Sequence, residues 1–178
     1  GIPAAELLLD CGAEVNAVTD KGLTPLLLTA YKGNTTMVET LLARGANVHM
    51  KNTDGDNALV CAVDQGHLDT ARALLEAGAD ADSTDQRSYT VAKIAVFEKS
   101  VPMLELLLRY GASAATAIDM GPLDPDSGNP VDTETWRAMV GAVAGEPRLI
   151  LLLVDYCSIS LDPRHGEAVV GATKQLHA

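Results

Sequence analysis

The chain has 178 residues, 47% of them apolar and only 3% aromatic. That supplies the core of one folded domain, built from Leu, Val, Ala and Ile rather than rings. Twenty-four Asp and Glu against 13 Lys and Arg leave a net charge of −11, the wrong sign for a nucleic-acid groove or an anionic membrane surface. In chain order, the first predicted element is a short apolar helix over 4–11, whose Leu8-Leu9 pair runs into Gly12-Ala13. The arrangement returns as Leu41-Leu42 before Gly45-Ala46, Leu74-Leu75 before Gly78-Ala79, and Leu107-Leu108 before Gly111-Ala112, always 33 residues on. Gly22 and Gly55 follow ten residues after the first two of these glycines. This is an internal repeat, and it decides the architecture.

Within one unit, Val38, Leu41 and Leu42 share a helix face. That helix stops at Arg44-Gly45, where glycine takes the left-handed conformation at little steric cost. An extended stretch is expected over 46–51, then a turn at Thr53-Asp54-Gly55. The first helix of the next unit runs from Asn57 to about Gln65 and is interrupted by Gly66. Helices under ~12–15 residues are marginal alone, so neighbouring units must cover each other's apolar stripes.

The stretch from Asp20 to Val48 resembles an ankyrin repeat. The features are Gly22, Thr24-Pro25-Leu26, Ala30, Gly33, Val38, Leu41-Leu42, Gly45-Ala46 and Val48. The next unit adds a Gly66-His67 pair; the third keeps Thr90, Ala95, Leu104 and Leu107-Leu108 but carries Ser88, Val91 and Lys99 at two glycine positions and the proline. The resemblance implies an all-α ankyrin-repeat solenoid of helix–turn–helix repeats joined by short β-hairpin turns. Residues 1–118 are expected to form regular repeats, a partial first and three full. An acidic Pro/Gly loop insertion follows over 119–132, then a degenerate repeat and a partial terminal one over 133–178. Half-repeats at both ends lead to the expectation of a segment from a longer protein.

Chemistry is hard to find in this chain. Cys11, Cys61 and Cys157 are odd in number and lack CxxC spacing, which points to reduced thiols and a cytoplasmic setting. No uncharged apolar stretch reaches the ~18 residues of a membrane span. His49, His67, His165 and His177 have no zinc spacing, and no phosphate loop, dinucleotide loop or nucleophile elbow occurs. Asp124 to Asn129 starts like a calcium loop, but Gly128 and Thr135 stand at the fifth and twelfth positions. The expectation is therefore no enzyme, no cofactor and no metal. His67 is expected to be structural, Cys61 a packed, inert thiol, and Cys11 partly exposed.

What remains is surface. The resemblance implies that hairpin tips and first helices form a concave face that binds another protein. On this sequence those positions are Asp20, Lys21, Leu23, Tyr31 and Lys32, then Thr53, Asp54, Asp56, Asp64 and Gln65, then Gln86, Arg87, Tyr89, Phe97 and Glu98. Asp20, Lys21, Leu23, Tyr31, Lys32, Asp54, Asp56, Asp64, Arg87, Tyr89 and Phe97 are the candidate partner-binding residues. Tyr31, Tyr89 and Phe97 would act as anchors and the acids as a solvated rim. The expected partner is a protein segment with an apolar anchor and basic flanks, not nucleic acid and not a membrane. The alternative is a substrate-recruiting segment of a larger enzyme, such as a ubiquitin ligase or kinase; least favoured is an enzyme with a site in the groove or near the 119–132 loop.

Overall fold

The repeated Leu-Leu and Gly-Ala pairs are the two halves of one helix-ending device. In the computed structural model, which describes residues 2–113 with side chains from residue 6 onward, Gly45 N donates to the Leu42 carbonyl (3.0 Å) and Ala46 N to the Leu41 carbonyl (2.9 Å). The same two bonds recur at Gly12-Ala13, Gly78-Ala79 and Gly111-Ala112. They satisfy carbonyls that a helix end would otherwise leave orphaned. The glycine is needed because its φ is +84 to +91° in all four copies. The 119–132 insertion, the 133–178 repeat, Cys157, His165 and His177 lie outside the described residues.

The helices among the described residues are α1 (Ile2–Asp10), α2 (Pro25–Tyr31), α3 (Thr35–Ala43), α4 (Ala58–Asp64), α5 (Leu68–Glu76), α6 (Val91–Phe97) and α7 (Val101–Arg109). Side chains set their starts. Thr24 Oγ1 accepts from Leu27 N, Asn34 Oδ1 from Met37 N and Asn57 Oδ1 from Val60 N, each capping an orphan donor. Pro25 at the first position of α2 loses no helical bond there.

Two compact units divide the chain, 1–91 and 92–178. In the first, α2 packs on α4, while α1, α3 and α5 form a second row; α2 also pairs with α3, and α4 with α5. Leu26, Leu27, Val38, Leu41, Leu59, Val63 and Leu74 are the buried seam of these rows. In the second unit, α7 buries Met103, Leu104, Leu106, Leu107 and Leu108.

Polar bonds tie one repeat to the next. Thr35 and Thr70 share a hydroxyl bond (2.8 Å) between α3 and α5. His67 Nε2 meets the Tyr31 carbonyl at 3.1 Å, so the histidine does hold repeats together. Asn57 Nδ2 donates to Ser83 Oγ (2.7 Å), and Thr53 N to the Lys21 carbonyl (3.1 Å). Asn16 brackets the next unit, accepting from Asn47 N and donating to the Gly45 carbonyl. Arg44 pairs with Asp10 at 2.7 Å.

One sequence expectation needs correction. Residues 46–51 are not extended throughout. Asn47 Oδ1 accepts from His49 N (3.0 Å), bending the backbone into a turn, and only Lys51 pairs across the hairpin, with Asn57. The third repeat keeps its turns without the glycines. Ser88 (φ +63°) and Lys99 (φ +55°) keep the left-handed conformation, at about 1–2 kcal/mol each.

Candidate functional site

Each hairpin tip in the first unit is built on one polar side chain. Thr19 Oγ1 accepts from Leu23 N (3.2 Å). Thirty-three residues on, Asn52 Oδ1 accepts from Asp54 N and Asp56 N (both 2.9 Å). Asp85 Oδ1 then accepts from Arg87 N (2.8 Å) and Tyr89 N (2.9 Å). Such bonds to the backbone two and four residues ahead fix the tip as a tight loop. They carry Lys21, Asp54 and Arg87 at equivalent places, with Leu23, Asp56 and Tyr89 two residues later.

Between α2, α4 and the third tip lies a cavity of about 150 Å³. Val60 and Cys61 of α4 contribute its apolar wall, Tyr31 of α2 one rim, and Gln86 and Arg87 another. Asp56, Asp64 and Asp85 supply three carboxylates. The Arg87 guanidinium is committed to one of them: Nε donates to Asp85 Oδ2 at 2.7 Å, and Nη2 pairs with the same oxygen at 2.7 Å. Its face lies 5.0 Å from the Tyr89 ring centroid, a cation–π contact.

The carboxylates differ in character. Asp85 has a side chain only 6% exposed. Burial alone would raise its pKa, but the bonds from Tyr89 N and the Arg87 side chain outweigh that and hold it below the usual range. Asp56 is half-buried rather than a solvated rim acid. Burial raises its pKa, a backbone hydrogen bond from Gln86 opposes, and the charges of Asp85, Asp54 and Asp64 add to the rise. Its Oδ1 is shut off from solvent with no hydrogen-bond partner. Asp64 is exposed and accepts from Gln65 Nε2 (2.9 Å). Cys61, half-buried rather than fully packed, is pushed up to about 12 by burial and then by the charges of Asp56 and Asp64. Its thiol stays protonated near neutral pH and is no nucleophile there.

A pH test follows from Asp85. Its depressed pKa contributes stability above the ordinary carboxylate range, lost as pH falls through the lowered folded value. Asp85→Asn can still accept the tip amides but carries no charge. Urea midpoints of wild type and variant are expected to differ at neutral pH and converge in acid; a constant gap would show that the charge contributes nothing.

The structure brings Tyr31, Asp56, Asp64 and Arg87 together around one cavity. Asp20, Lys21 and Asp54 are exposed on the tips, Leu23 is half-buried there, and Lys32 caps α2. Tyr89 is half-buried beneath Arg87. Phe97, 40% exposed, belongs to the second unit. Sequence reading missed Asp85, Cys61 and Leu28. Asp85 repeats the register of Thr19 and Asn52, and Leu28 (42% exposed) that of Cys61, so the 33-residue period held both signals.

The family model for ankyrin repeats (three copies) matches residues 1–85 and 41–117. The human ankyrin repeat and SOCS box protein 16 is 34% identical over 166 residues, 87% of this chain and 35% of that protein. The ankyrin repeat and KH domain-containing protein mask-1 of Caenorhabditis elegans is 39% identical over 55% of this chain and 4% of its own length. The mouse B-cell lymphoma 3 protein homolog is 32% identical over 69% of this chain and 27% of its own. The chain thus spans about a third or less of these relatives. Ankyrin repeats are in general protein-interaction modules without catalysis of their own, and by its 33-residue period, its paired helices and these matches the chain belongs to the ankyrin-repeat family.

Proposed function

We propose that this chain binds an extended segment of a partner protein across its hairpin tips and first helices. The observation that carries the reading is the exposure of Tyr31 (54%) and Leu28 (42%) one helical turn apart on α2, beside an acid-lined cavity. Rings are scarce in this chain, and an exposed ring at such a place is a common binding anchor. Tyr31, Leu28 and Leu23 would supply apolar burial, while Asp20, Asp54 and Asp64 would steer a basic partner. Phe97 would serve similarly in the second unit. The exposed free thiol of Cys11 supports a reducing, cytoplasmic setting.

Selection of short random peptides displayed on phage, followed by amide hydrogen exchange, tests the reading. Bound peptides are expected to protect the α2 and α4 face and the three tips, and to lose roughly tenfold or more in affinity on Tyr31→Ala. Protection confined to α3 and α5, or no peptide enriched at all, would sink it. A second reading is favoured by the relatives' names, which join ankyrin repeats to a SOCS box or a KH domain. On that reading the same surface recruits a substrate for activity located elsewhere in a longer protein.

A further inference from the structure

We infer that the third repeat opens locally while α2 to α5 stay folded, withdrawing Arg87, Tyr89 and Phe97 from the surface in one step. The inference concerns a conformational device and does not depend on the segment-binding reading above.

Four observations meet within residues 88–100. Ser88 (φ +63°) stands where the earlier repeats have Gly22 (+69°) and Gly55 (+88°). Lys99 (φ +55°) stands where they have Gly33 (+65°) and Gly66 (+71°). The backbone path is the same, but here a side chain is carried through a conformation that L-residues rarely adopt. Lys93, 7% exposed, holds in α6 the register of Leu27 and Val60, which are 2% and 3% exposed. Even when paired, a lysine buried in an apolar seam is as a rule no more stabilising than an apolar residue of its volume. Finally, Ser100 makes no side-chain cap bond at the start of α7, whereas Asn34 at the same register caps α3.

The costs are local. Ser88 and Lys99 are the non-glycine residues with positive φ among the described residues, and both lie in this repeat. The boundary between the two compact units, at 91/92, falls between them. Against the costs stands the burial of Met103, Leu104, Leu106, Leu107 and Leu108 on α7, which keeps the repeat folded. In a repeat array each unit contributes its own stability. Proteins open in cooperative pieces, and the piece of lowest stability opens most often. Two strained turns, a lysine in the seam and an uncapped helix start make that piece the third repeat. Its tip carries Arg87 and Tyr89, and Phe97 closes its first helix, so these side chains leave their places together.

Amide hydrogen exchange of the whole chain under native conditions tests this. The amides of α6 and α7 should open at least tenfold more often than those of α4 and α5. In the Ser88→Gly, Lys99→Gly double variant, exchange in α6 and α7 should slow about tenfold, the factor that corresponds to about 1.4 kcal/mol. That figure allows for the extra freedom glycine brings to the open state. Exchange in α2 to α5 should change by less than about twofold. Lys99→Asn keeps a side chain but tolerates the left-handed conformation, so it should slow the same amides in the same direction. Equal opening of α4, α5, α6 and α7 in the wild-type chain would overturn the proposal. So would a double variant that slows every helix by one factor, since the strain would then belong to global unfolding, or one that slows none.

Discussion

Leu74→Ala is expected to lower the stability of the chain by about 2–5 kcal/mol. Leu74 is 0% exposed within α5, on the row formed with α1 and α3. Truncation removes apolar burial and leaves a cavity that short, mutually bracing helices cannot easily collapse. Leu8 is the control. It occupies the same register position two periods earlier but is 62% exposed, so Leu8→Ala should cost no more than about 1 kcal/mol. Urea unfolding of the two variants settles the comparison. Equal shifts would mean that register position, rather than burial, sets the cost.

Gly33→Ala carries the second large effect, about 2–3 kcal/mol. Gly33 has a φ of +65°, and an added Cβ would lie 2.5 Å from His67 Nδ1. The substitution therefore strains the backbone and displaces the ring whose Nε2 bonds the Tyr31 carbonyl. Gly45→Ala isolates the backbone part: its φ is +84°, but an added Cβ meets nothing within 4 Å. Its cost should be limited to about 1–2 kcal/mol. Combining Gly33→Ala with His67→Ala should cost less than the sum of the two singles. Strict additivity in urea midpoints would show that the ring and the glycine are not coupled.

How much of this was legible beforehand depends on whether a feature repeats along the chain or across it. Features with a 33-residue period were readable: the leucine pairs, the helix-ending glycines and the limits of α4 all stand where the pattern put them. Where composition changed but conformation did not, as at Ser88 and Lys99, the loss of glycine was visible while the persistence of the turn was not. Neighbouring repeats impose that backbone path and offset its strain. The cavity was legible only in part. Asp56, Asp64 and Asp85 come from two tips and the end of a helix, and nothing in their sequence separation says that they converge. Asp56 read as a surface acid because tips are normally solvated. Its burial depends on where the next hairpin lies, with Gln86 donating a backbone hydrogen bond to it.

The polar ties between repeats have a further consequence, for the way such a chain folds. The side-chain bonds that link one repeat to another span sequence separations of 26 to 36 residues. Each reaches about one period away. The loop entropy of closing any one of them is therefore the same wherever it lies along the array. Adding a repeat adds bonds of this reach and none longer, so relative contact order falls as the array grows. Two adjacent repeats, once docked, form a template on which a third can be laid down from either side. Folding speed is then a property of the pair, and chain length enters only through the number of places where a pair can start.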